Sequence, residues 1–143
     1  GDLVDPDFTG LSAFLADGPP GSSGVMALEY VAQDGVATLR HTTLPATLGS
    51  AVISRGLEDH ASYSTHAARL ATACVPALRT VLAAELVAAV RAIAMAGGLP
   101  PDHALTTAYE QARAALDGDT RDRPLTADLA AAGVLLDGLG TRR

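Results

Sequence analysis

Between Asp59 and Ala96, apolar residues recur at helical spacing through Ala67, Leu70, Ala71, Cys74, Leu78, Val81, Leu82, Leu86, Val90 and Ile93. Ala68, Ala73, Ala83, Ala84, Ala88 and Ala89 make several other sides of the same stretch small and apolar. A helix apolar nearly all round belongs inside a larger body. This chain has few other helices with which to surround it, so partners are expected to cover it: copies of itself or another chain. Glu58 and Asp59 suit the positive end of a helix dipole, and Gly97-Gly98 followed by Pro100-Pro101 stop the helix. Pro76 lacks a backbone donor, which predicts a kink near 72–76 or two helices end to end.

The rest of the chain is punctuated. Residues 1–24 are loop-rich, with Asp5-Pro6 and then Gly18-Pro19-Pro20-Gly21-Ser22-Ser23-Gly24. Ser22 or Ser23 is placed to cap a helix from about Val25 to Gln33. Gly35, Pro45, Gly49 and Gly56 predict mostly irregular backbone over 34–57. Two shorter helices follow, Pro101 to Leu116 with Asp102 as its cap, and Thr126 to Leu136. The expected fold is all-α: long helices of a multi-subunit bundle after an irregular segment 1–24, with 25–143 a single partial domain. Aromatic residues make up only 3% and there is no Trp, so the core is built from Leu, Val and Ala.

The formal charge is −6 and every basic residue is an arginine. No basic stripe exists for nucleic acid or for a membrane surface. Arg79, Glu85 and Arg91 interrupt the apolar run, which predicts no membrane span. Cys74 is the sole cysteine and permits no internal disulfide, in keeping with a reducing, cytoplasmic setting. The acidic start lacks a leader's basic region, and Gly1 in place of Met suggests a processed end or a tag scar.

Glu58-Asp59-His60 is the densest group of chemically able side chains, at the point where a glycine-containing loop enters a helix. Acids at a helix start are also ordinary dipole partners. His60 and His66 are six apart, off the spacing of a helical zinc motif, and no metal site is expected. The Gly18–Gly24 run lacks a P-loop lysine and reads as a turn with a helix cap. Ser62, Tyr63, Ser64 and Thr65 read as solvated or capping hydroxyls, and Cys74 as a core thiol.

Taken together, several segments resemble one family. Gly10-Leu11-Ser12-Ala13-Phe14-Leu15 resembles a Gly-Leu-Pro-Pro-Phe-Leu motif, and Gly21-Ser22-Ser23-Gly24-Val25-Met26 an Asn-Ser-Gly-Phe-Met helix opening. Leu44-Pro45-Ala46-Thr47 is similar to His-Pro-Ala-Ser, and Leu57-Glu58-Asp59-His60-Ala61-Ser62 to Gln-Glu-Asp-His-Val-Ser. Arg79–Leu86 resembles an Ile-Leu-Ala-Val-Glu-Leu helix, and Asp122-Arg123-Pro124-Leu125 with Asp128-Leu129 a closing Asp-Arg…Asp-Ile motif. In this order and spacing, over about residues 10–136, they resemble the C-terminal helical portion of the aromatic amino acid ammonia-lyases of the histidine type.

The resemblance implies a helical, tetrameric lyase whose active site is shared between subunits. Its electrophile is a methylidene-imidazolone formed from an internal Ala-Ser-Gly, to which the substrate amine adds before ammonia leaves. This sequence contains no Ala-Ser-Gly. The ring is therefore expected on a partner, a larger lyase-like chain, with this chain either the small subunit of a split gene or a cut piece, and inactive alone. Glu58 corresponds to a carboxylate that meets a histidine substrate's imidazole, with Leu57, Asp59 and His60 as pocket support. The substrate is expected to be a small amino acid or a peptide-borne residue. Leu57 replaces a polar Gln or Asn, Arg55-Gly56 an Ala-Asn, Ser12-Ala13 a Pro-Pro, and Thr38-Leu39-Arg40 a Ser-Glu-Asn-Lys helix end. Those departures admit a changed substrate or a non-catalytic scaffold descended from such a lyase. A third reading is an unrelated helical binding module.

Overall fold

A computed structural model of the chain describes residues 1–57 and 62–139. It has five α-helices among these residues: α1 (Pro6–Thr9), α2 (Met26–Thr42), α3 (Ser64–Met95), α4 (Thr106–Ala115) and α5 (Thr126–Leu139). Short 3-10 turns lie between them, and the described residues form no β-sheet. The all-α class read from the sequence is the class found.

Helix α3 is the axis of the fold, with α2 and α5 packed along it. It starts at Ser64, later than the acids at 58–59 suggested, with Tyr63 in a left-handed conformation before it (φ 52°) and no acid in its first turn. It runs as one helix through Pro76. The proline removes a single ladder bond, the one to the Thr72 carbonyl, and the turns on either side carry the helix across. Of the two outcomes the sequence admits, a kink or two helices end to end, the second does not occur.

Helix α2 continues to Thr42, where glycine and mixed composition had suggested irregular backbone. Gly35 explains the difference. A Cβ there would lie 2.8 Å from Val81 Cγ2 and 3.2 Å from the Ala77 carbonyl. The glycine is thus a place where α2 and α3 approach closely, and its helix-breaking tendency of about 1 kcal/mol is overridden by packing. The serine cap is also absent: the N-cap is Val25, with no side-chain cap bond. Asp102 does not start α4 either. Pro100–Leu105 form a turn in which the Thr106 hydroxyl donates to the Pro100 carbonyl (2.7 Å).

The core surrounds only the second half of α3. Ala83, Ala84, Val87, Ala88 and Ala92 pack with Leu15, Val25, Leu28, Leu125 and Ala132. Val90, Tyr109 and Ala112 form a smaller cluster toward α4. Alanines on the shared faces let helix axes approach closely, so that burial comes from many small contacts. Over 64–80 the same helix is mostly solvent-facing, with Val75 and Leu78 exposed. Cys74 is only half-buried there and lies 2.9 Å from the Thr42 hydroxyl, bridging α2 and α3 instead of sitting in the core.

By length and composition alone α3 could cross a membrane: its charges are spaced widely enough to leave an 18-residue window of mean hydropathy 1.7. The sequence argument from Arg79, Glu85 and Arg91 is therefore too strong. One third of that window is buried inside the fold, against protein neighbours. Arg79 donates to the Gly133 carbonyl (2.8 Å) and pairs with Asp137 (2.5 Å), tying α3 to α5.

Candidate functional site

Glu58, Asp59 and His60 lie outside the described residues, so the structure leaves their contacts undefined. Ser54, Arg55 and Gly56 turn sharply, with φ of 53°, 58° and 91°. Left-handed backbone at a non-glycine costs roughly 1–2 kcal/mol per residue, and such strain concentrates at functional loops. Leu57 ends this turn with its side chain 88% exposed. His66 is exposed on the first turn of α3, and Ser62 accepts the Ser64 amide at 3.4 Å. Among the described residues no three His, Cys, Asp or Glu side chains are grouped to hold a metal ion.

A polar centre lies where the α4–α5 loop meets the N-terminal loop. Asp128, 2% exposed in the first turn of α5, pairs with Arg123 Nη1 (2.5 Å) and accepts the Asp117 amide (3.0 Å). Burial alone pushes the Asp128 carboxyl up. The Arg123 and Asp117 hydrogen bonds outweigh it and hold the group below its ordinary value. Arg123 also donates to the Asp119 carbonyl (2.9 Å) and the Asp117 carbonyl (2.9 Å).

Asp122 reaches across the molecule. Its two oxygens accept the Ser23 and Gly24 amides, each at 2.8 Å, just ahead of α2. These bonds lower the Asp122 carboxyl. The amides that a phosphate would use in the Gly18–Gly24 run are already taken by a carboxylate from the other end of the chain. Buried Arg91 on α3 donates to the Leu15 carbonyl through Nε (2.8 Å) and to the Thr120 carbonyl through Nη2. Burial, with Arg123 nearby, lowers its guanidinium below the ordinary arginine value. The Thr120 hydroxyl donates to Asp17 (2.5 Å). Under this network is a cavity of about 140 Å³ walled by Val25, Val87, Val90, Leu116 and Leu125.

No polar side-chain atom buried in the described part lacks a partner. The buried members of the network are all hydrogen-bonded, and they position backbone. Arg91 was visible in the sequence only as an interruption of an apolar run. A charge at the centre of such a run, flanked by Val90 and Ala92, is itself the signal of a buried partner.

The described residues thus form an all-α array whose last loop is held by buried and exposed ion pairs, and comparison with known proteins gives its family. The family model for aromatic amino acid lyases matches residues 1–114, and the chain belongs to that family. Its relatives include a histidine ammonia-lyase of Streptomyces coelicolor, 41% identical over 124 residues, covering 86% of this chain and 24% of that protein. A histidine ammonia-lyase of a Geobacillus species is 33% identical over 137 residues, covering 96% of this chain and 27% of that protein. The crystal structure of histidine ammonia-lyase from Trypanosoma cruzi superposes with a TM-score of 0.84 at 25% identity, over 96% of this chain and 27% of that one. The chain thus spans about a quarter of the length of the curated relatives it matches.

Proposed function

We propose that this chain forms the C-terminal, helical portion of a histidine-type ammonia-lyase and acts as the small subunit of a split enzyme. The single observation that carries the proposal is the match along nearly its whole length to histidine ammonia-lyases, in a sequence with no Ala-Ser-Gly. The residues present hold no such tripeptide, and in this reading the methylidene-imidazolone belongs to a larger lyase-like chain. What this chain supplies is packing and a pocket wall. The exposed first half of α3 and the outward-turned Leu57 support a surface covered by that partner and by copies of this chain in a tetramer-like bundle. Glu58, next after Leu57 in the sequence, accepts a charge-assisted hydrogen bond from the imidazole of a small amino acid or peptide-borne substrate. The assembly is soluble and cytoplasmic.

Glu58→Gln keeps the shape and removes the charge. Turnover of histidine should fall at least tenfold while the assembly keeps its mass. Loss of assembly with unchanged turnover per assembled site would sink the role of Glu58.

The replaced Arg55-Gly56-Leu57 loop favours a second reading, a scaffold retained for oligomerisation. Native mass spectrometry of the complex from its own source separates the two. The enzyme reading expects a larger partner lighter by two waters than its translated sequence. A homo-oligomer, or a partner of unmodified mass, establishes the scaffold.

A further inference from the structure

The loop joining α4 and α5 is held in two unlike ways. Its feet, Asp117 and Arg123, are both pinned by the buried carboxylate of Asp128. Its tip carries no apolar anchor. Thr120 and Asp122 hold it to the N-terminal loop through Asp17 and the Ser23 and Gly24 amides at exposed positions, while the Thr120 and Asp119 carbonyls accept from Arg91 and Arg123 in part-buried bonds. Leu15 and Val25, by contrast, are fully buried and secure the ends of the N-terminal loop to the core. Beneath the tip lies the small apolar-walled cavity, with Arg91 donating to the Thr120 carbonyl at its edge.

We propose that residues 119–122 are a hinged lid over this cavity: the lid swings on feet fixed by Asp128, is latched shut by Asp122, and opens while the α2–α3–α5 body stays folded. Polar bonds exposed to water contribute little net free energy each, because water replaces them on opening. The feet and the buried leucine and valine lack that exchange, so motion is confined to the tip. The lid is independent of the catalytic reading, since none of its residues belongs to the Glu58 loop.

Hydrogen–deuterium exchange on the chain in its native assembly tests this with Asp122→Asn. The two amides bond to different carboxylate oxygens, so an asparagine keeps one bond and sets an N–H₂ against the other amide. Peptides covering 119–122 and 16–23 should both exchange at least tenfold faster, with those covering 83–92 unchanged. Acceleration in only one of the two loops, or in neither, overturns the lid. So does loss of the folded helical signal, because a lid that opens alone must leave the body standing.

Discussion

Gly24→Ala should destabilise the chain by about 2–5 kcal/mol, from left-handed backbone strain and overpacking combined. Gly24 adopts φ +51°, which an alanine enters only at a cost. The contacts add more. A Cβ would lie 2.3 Å from the Phe14 carbonyl oxygen, 2.8 Å from the Ala16 nitrogen and 2.9 Å from the Ala16 Cα. All three are backbone atoms and cannot swing aside. The Phe14 carbonyl already accepts the Val25 amide at 2.9 Å, and Val25 is fully buried at the entry to α2. Moving that oxygen therefore disturbs the core as well as the loop. Gly21→Ala is the matched control: its φ is +96°, but nothing lies within 4 Å of a Cβ. It should show strain alone, about 1–2 kcal/mol. Urea unfolding of the two variants against wild type measures both effects. Equal losses would mean that the close contact around Gly24 carries no weight.

The sequence was most legible where local pattern and tertiary packing agree. Apolar spacing located α5 and the second half of α3, because those faces are the ones that enter the core. It failed where a distant residue decided the outcome. Gly35 reads locally as a breaker, but Val81 and Ala77 make it a contact point. Ser22 and Ser23 read as caps, but Asp122, about a hundred residues on, takes the amides of Ser23 and Gly24. The start of α3 was misplaced because acids before a helix signal its approach without fixing its first turn. The closing Asp122-Arg123 and Asp128 motif was found by resemblance alone, and the structure supplies its physical reason: one carboxylate docks the N-terminal loop, the other pins both feet of the α4–α5 loop. The candidate site was less legible. Glu58, Asp59 and His60 lie outside the described residues, and the chain spans about a quarter of its relatives' length, so the sequence names a candidate carboxylate without its surroundings.

Asp128→Ala should cost about 3–5 kcal/mol, the range for removing one partner of a buried ion pair. The substitution leaves the Arg123 guanidinium, only 17% exposed at its side chain, without its counter-charge, and it orphans the Asp117 amide. Asp128→Asn keeps an acceptor in place and should lose less, about 1.5–3 kcal/mol, the worth of a hydrogen bond to a charged group. If the penalty is the unpaired guanidinium, then Arg123→Met combined with Asp128→Leu should cost less than Asp128→Ala alone, a non-additivity that a double-mutant cycle reads directly. Acid offers an independent check. The Asp128 carboxyl titrates below its ordinary value in the folded chain, so its contribution is complete above the ordinary carboxylate range. That contribution fades as the pH falls below about 4 toward the folded value, because the unfolded chain then binds the proton first. Wild-type stability should therefore drop on the acid side, and the Asp128→Ala variant should drop less steeply. Urea midpoints from pH 7 to pH 3 compare the two slopes. Parallel slopes would show that Asp128 is not the group whose protonation loosens the α4–α5 loop, and would shift that role to Asp119 and Asp122, whose carboxyls are also held low by Arg121 and by the Ser23 and Gly24 amides respectively.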